Sequence, residues 1–119
     1  MRKLIKSFGY ALQGISYLIR TQRNFRIHLV CAFLAMVAAL LLRFTMAEWG
    51  VLFVVIGLVI SSEAFNTAIE RAVDCATEEF TEKAKQAKDT AAAAVLLMAV
   101  TALLVGVVLF LSKIIKLLR

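Results

Sequence analysis

Glu63, Asn66, Glu70 and Asp74 are spaced three, four and four residues apart. On an α-helix that spacing puts Asn66, Glu70 and Asp74 at about −60°, −20° and +20° from Glu63, so the four polar groups form one stripe. Phe65, Ala68, Ile69 and Val73 keep much of the remaining surface apolar. Acidic groups at a membrane edge are costly and mark function by default. Three carboxylates with an amide between them offer hard oxygen ligands. Such a set suits Mg²⁺, which takes one or two carboxylates together with substrate phosphates. A solvated helix face accommodates Asp74, Glu78, Glu79 and Glu82 equally well. It does not accommodate Glu63, which follows directly on an apolar run. Further along, Lys88-Asp89 opens the last apolar segment. Lys88 fits two roles, a point charge for phosphate oxygens or an interfacial Lys beside an N-capping Asp.

The elements that must carry these groups are helical and mostly apolar. Met1, Leu4, Ile5, Phe8, Leu12, Ile15, Leu18 and Ile19 recur at i, i+3, i+4, i+7, which predicts an amphipathic helix over residues 1–20. The periodicity fits a helix in the membrane interface plane and one packed on its own protein. A first span is expected over 28–46, where Leu29–Leu42 is an unbroken apolar run ending at Arg43. A second helix is expected over 49–79, with Trp49 placed for the headgroup belt. At about 45 Å it exceeds a hydrocarbon core of about 30 Å, so its acidic half must emerge into water. Residues 78–88 are polar and form a connection that is helical in part. A third span is expected over 90–112, because Ala91–Leu111 carries no charge.

Composition agrees. Of 119 residues, 62% are hydrophobic and only 18% charged, and mean hydropathy is +0.88. That leaves too little polar surface to cover a soluble domain and excludes a disordered chain. The net charge of +6 is distributed against nucleic-acid binding. Residues 1–26 hold Arg2, Lys3, Lys6, Arg20, Arg23 and Arg26 without an acid, whereas seven of the eight acids lie between Glu63 and Asp89. A basic start on an apolar chain fits anionic lipid headgroups. Counting Lys and Arg across three spans puts that start and the 78–88 connection on the cytoplasmic side, against the dissent of the basic C-terminus. Cys31 and Cys75 lack metal-site spacing and are expected as small buried apolar residues. The N-terminus has no apolar core followed by a cleavage site of a signal peptide.

Glu63-x-x-Asn66-Thr67-Ala68-Ile69-Glu70-x-x-Val73-Asp74 closely resembles the signature of the small prokaryotic diacylglycerol kinase family, which includes undecaprenol kinases. Gly9-Tyr10, Gly14, Asn24-Phe25-Arg26-Ile27-His28 and Ala87-Lys88-Asp89 also match, so the resemblance covers nearly the whole chain. It implies an all-α membrane protein of the bacterial inner membrane. One kinase domain, 1–119, would comprise an N-terminal amphipathic surface helix plus three transmembrane helices and assemble as a homotrimer. The implied activity is ATP- and Mg-dependent phosphorylation of the hydroxyl of a membrane lipid alcohol, at a cytoplasmic-side site shared between subunits. The absence of a P-loop or Gly-rich nucleotide loop agrees. By motif, Glu63 corresponds to the general base and Asn66 would hold the base or a phosphate oxygen. Glu70 would bind Mg²⁺, Lys88 and Asp89 would contact ATP, and Tyr10 would approach the nucleotide from the surface helix.

One position departs from the pattern. Where the family commonly has a second metal-binding Glu, three residues before Phe25, this chain has Gln22, a weaker ligand for a hard cation. The Arg26-Ile27-His28 step looks more like the undecaprenol kinases, so undecaprenol is the favoured lipid over diacylglycerol. A non-catalytic assembly subunit or ion-pathway protein would explain the spans and the intramembrane Glu, but not Lys88-Asp89 together with Asn66.

Overall fold

The computed structural model describes residues 1–118, which fold into four helices: α1 (Arg2–Thr21), α2 (Arg23–Leu41), α3 (Met46–Ala76) and α4 (Glu82–Leu118). No strand occurs among the described residues. The last three are each long and apolar enough to cross a membrane. The chain measures 60 × 42 × 21 Å, and its thin dimension is about two helix diameters. A layer this thin buries little. Phe25, Ala39, Phe44, Leu52 and Ala91 are among the few buried apolar residues, while Phe33, Leu97, Leu104 and Val108 stay open. An apolar solvent permits this, because lipid does not drive such groups inward.

The α2–α3 corner is closed by backbone. Arg43 adopts φ 52°, the left-handed conformation that ends many helices. Its N–H donates to the Leu40 carbonyl at 3.1 Å, and the Phe44 N–H donates to the Ala39 carbonyl at 3.0 Å. These are the paired bonds of a Schellman ending, and Ala39 and Phe44 pack in the same buried cluster. Thr45 then starts α3 with a capping box. The Glu48 N–H donates to the Thr45 hydroxyl, and the Glu48 carboxylate accepts from the Thr45 N–H at 2.7 Å. This box begins the helix at Met46, earlier than the apolar run alone implies. Trp49 packs against its own chain near the start of α3. It is half-buried, with its ring 5.3 Å from Phe53 and 6.3 Å from Phe44.

The helices α3 and α4 form the main contact of the fold. They run antiparallel, because only residues 77–81 join them and polar pairs link both ends. At the end remote from Glu63, the Lys113 ammonium lies 2.8 Å from the Glu48 carboxylate and donates to the Arg43 carbonyl at 3.2 Å. It also sits 5.8 Å above the Phe44 ring. Lys113 and Glu48 are only 14% and 19% exposed at their side chains, so this is a partly buried pair rather than a solvated one. The polar 82–89 stretch is the helical part of the expected connection and continues into the rest of α4 without a break, so that only residues 77–81 remain outside helix between α3 and α4. It lacks Gly and Pro and is rich in Lys, Ala and Gln, all good helix formers. Both cysteines are free and, contrary to the expectation of burial, exposed in the single chain.

Candidate active site

Glu63 is 3% exposed in the middle of α3. One turn on, Thr67 is equally buried, and its hydroxyl donates to the Glu63 carbonyl at 3.1 Å. That bond satisfies Thr67 locally and leaves the Glu63 carboxylate uncommitted to it. Asn66 donates through Nδ2 to Oε1 of Glu70 at 3.1 Å. The bond holds the amide across one helical turn and turns its oxygen away from Glu70. Asn66 Oδ1 is buried and accepts no hydrogen bond among the described residues, an arrangement that costs free energy unless a donor or cation completes it. Glu63, Asn66 and Glu70 thus occupy one face of α3 as the spacing requires.

Asp74 lies further along the same helix, where α3 has run past the thickness of a bilayer. Its carboxylate pairs with Lys88 of α4 and, at 3.7 Å, with Arg71. The hydrogen bond from Lys88 is the main influence holding the Asp74 carboxyl below the usual carboxylate range. The pair is exposed, so it contributes little to stability. Its significance is positional, because it holds Lys88 in the lining of a cleft of about 380 Å³. Asp74, Thr77, Glu79, Lys85, Lys88 and Asp89 are among the groups lining that cleft. Lys88 and Asp89 sit inside α4, two turns from its start, so Asp89 does not cap a helix.

The single chain brings together Glu63, Asn66 and Glu70 on α3, and Lys88 and Asp89 at the cleft. It does not bring Tyr10 or Gln22 to them. Tyr10 is exposed on α1. Gln22, at the α1–α2 joint, donates from its side chain to the Thr21 hydroxyl at 3.1 Å and makes no side-chain hydrogen bond to α3. No cluster of three or more His, Cys, Asp or Glu side chains forms among the described residues. A cation here would rely on Glu70, an amide oxygen and the ligand's own phosphates, a donor set that Mg²⁺ accepts. Two groups escaped the sequence reading. Thr67 carries no charge signal, and the Asp74–Lys88 pair depends on how two helices align, which neither helix encodes alone.

Residues 9–110 match the prokaryotic diacylglycerol kinase family. The chain is 39% identical over 113 residues to an undecaprenol kinase of Bacillus subtilis, covering 95% of this chain and 92% of that protein. It is 44% identical over 115 residues to a diacylglycerol kinase of Synechocystis, covering 96% of this chain and 66% of that one. A diacylglycerol kinase of Helicobacter pylori is 34% identical over 96 residues, 81% of this chain and 75% of its own length. Residues 9–110 contain the α3 polar stripe, the Lys88 cleft, the whole of α2 and α3 and most of α4. With nearly its whole length matched, this multi-pass membrane protein belongs to the prokaryotic diacylglycerol kinase family.

Proposed function

We propose that this protein transfers the γ-phosphoryl group of Mg-ATP to the hydroxyl of a membrane lipid alcohol, with undecaprenol preferred to diacylglycerol. Family membership makes it a lipid kinase. The observation that carries the site assignment is the buried carboxylate of Glu63 next to the Asn66–Glu70 pair. Glu63 takes the proton of the lipid hydroxyl as that oxygen attacks the γ-phosphorus in line. A P–O bond forms to the lipid oxygen, the bond to the β,γ-bridging oxygen breaks, and its electron pair leaves with ADP. The proton stays on Glu63 until product departs. Bound Mg²⁺ would neutralise phosphate charge, and the orphaned Asn66 oxygen, Glu70 and Gln22 are the groups that would hold it. Lys88 and Asp89 bind the nucleotide in the cleft, Lys88 exchanging some of its bond to Asp74 for a phosphate oxygen, and Tyr10 covers it from α1. Catalysis of this kind rests on positioning and charge neutralisation.

The basic residues 1–26 support an inner-membrane topology with the site on the cytoplasmic side, and α1 lying in the interface plane. The kinase assay uses purified protein, radiolabelled ATP, and undecaprenol and diacylglycerol side by side. Faster labelling of undecaprenol is expected. Labelling of neither lipid overturns the reading in favour of a non-catalytic membrane protein, and labelling of diacylglycerol alone overturns the lipid preference. Undecaprenol is preferred on the Arg26-Ile27-His28 step.

Two further results are expected. The protein will be a homotrimer, because a polar stripe on a chain with three spans needs neighbours to shield it from lipid. Native mass spectrometry in mild detergent showing monomer alone contradicts this. Gln22→Glu will tighten the apparent Mg²⁺ affinity, since a carboxylate adds a charged hard ligand beside Glu70. Without a cation between them, the new charge would repel the ATP phosphates instead. Activity titrated with Mg²⁺ at fixed ATP separates the two. An unchanged midpoint with unchanged kcat removes residue 22 from the metal site.

A further inference from the structure

The two corners flanking α2 are built differently. The α2–α3 corner is closed by paired backbone bonds, whereas the α1–α2 corner has a single extended residue, Gln22 at φ −103°, ψ 111°. A helix ending there leaves its last four carbonyls, those of Leu18 to Thr21, without intrahelical partners. The Leu18 carbonyl accepts from the Gln22 N–H at 2.9 Å. The next two are served by one side chain from the first turn of α2. Arg26 Nη1 lies 2.9 Å from the Ile19 carbonyl oxygen and 3.2 Å from that of Arg20. A guanidinium is well suited to this place, because the C-terminal end of a helix carries partial negative charge. No acidic residue precedes Glu48 in the sequence, and Arg26 forms no ion pair among the described residues. Packing does little to hold α1, whose one buried residue is Leu18.

We propose that Arg26 is a positioning residue: by capping the C-terminus of α1 it fixes the angle of that helix to α2, and with it the placement of Tyr10 at the nucleotide. The second half of this statement rests on the reading that Tyr10 meets ATP. The clamp itself rests only on the geometry of the corner. Lys at this position would keep the charge at the helix end but lose the planar fork of donors, so it restores the corner in part.

The test separates the two halves. In a background with Cys31→Ser and Cys75→Ser, Ala11→Cys on α1 and Val30→Cys on α2, both at exposed positions, carry spin labels. Labelled chains are diluted in unlabelled chains in lipid nanodiscs, so that distances are intrachain. Arg26 protein should give one narrow distance distribution, Arg26→Gln a broad one, and Arg26→Lys an intermediate one. In the unlabelled enzyme, Arg26→Gln should raise KM for Mg-ATP roughly tenfold through misplacement of a binding group. The melting temperature should stay unchanged, and the rise in KM for Mg-ATP should exceed any change in KM for the lipid. An Arg26→Gln distribution as narrow as the parent's overturns the clamp. A raised lipid KM with unchanged Mg-ATP KM overturns it as well, in favour of lipid headgroup binding by Arg26. Tyr10→Ala serves as the control for the nucleotide reading. If it leaves the Mg-ATP KM unaltered while Arg26→Gln broadens the distribution, the clamp stands and the role of Tyr10 fails.

Discussion

Glu63→Gln should lose at least about a hundredfold in kcat, the usual scale for removing a general base, while binding Mg-ATP as before. The substitution preserves shape and hydrogen-bonding capacity but leaves no group that takes up the hydroxyl proton. Stability should not fall with activity. A carboxylate that is 3% exposed is an expensive group to keep in an apolar setting, and a neutral amide is cheaper there. The melting temperature in detergent should therefore hold or rise. That divergence distinguishes a lost base from a damaged fold. It is measured by running turnover, nucleotide binding and thermal unfolding on the same preparation. Near-normal turnover would remove Glu63 from the chemistry.

Glu70→Gln should fail differently, although it lies only two turns away. Its apparent Mg²⁺ affinity should weaken by at least roughly tenfold to a hundredfold, at or above the loss seen when a ligand's supporting group is removed. The Asn66 amide can still donate to the carbonyl of a Gln at position 70, so the 3.1 Å bond across the turn survives and charge is the variable changed. Mg²⁺ titrations at fixed ATP should show the midpoint displaced for Glu70→Gln and in place for Glu63→Gln. A midpoint that does not move in the Glu70 variant removes it as a ligand.

Much of the fold was legible because charge and hydropathy change abruptly along this chain. The uncharged run at Ala91–Leu111 and the basic start mark their helices, and the stripe from Glu63 to Glu70 follows from helix geometry alone. What the sequence withheld is pairing between helices. In α2, α3 and α4 apolar residues surround most of the helix, so no dominant face says which side meets a neighbour. Lys113 reads as one of several terminal cations. Only the α2–α3 corner shows that it reaches Glu48 and Arg43. Lys88 similarly reads as a ligand for phosphate, and only the α3–α4 alignment reveals Asp74 beside it. The positions of Tyr10 and Gln22 relative to the stripe were not legible either, because both depend on where α1 docks.

The two ion pairs joining α3 to α4 have a mechanical consequence. Asp74 and Glu48 are 26 residues apart on one helix, and Lys88 and Lys113 are 25 apart on the other. Both separations come to about 38 Å, somewhat more than the hydrocarbon thickness. Sliding one helix of the pair along the other would break both attachments at once, the partly buried Glu48–Lys113 bridge being the firmer and the exposed Asp74–Lys88 bridge the weaker. A thinner or thicker bilayer is then accommodated by leaning the pair as one body. Leaning changes the depth of Glu63 relative to the headgroups, so on the proposed role of Glu63 membrane thickness would tune how the buried carboxylate meets a lipid hydroxyl.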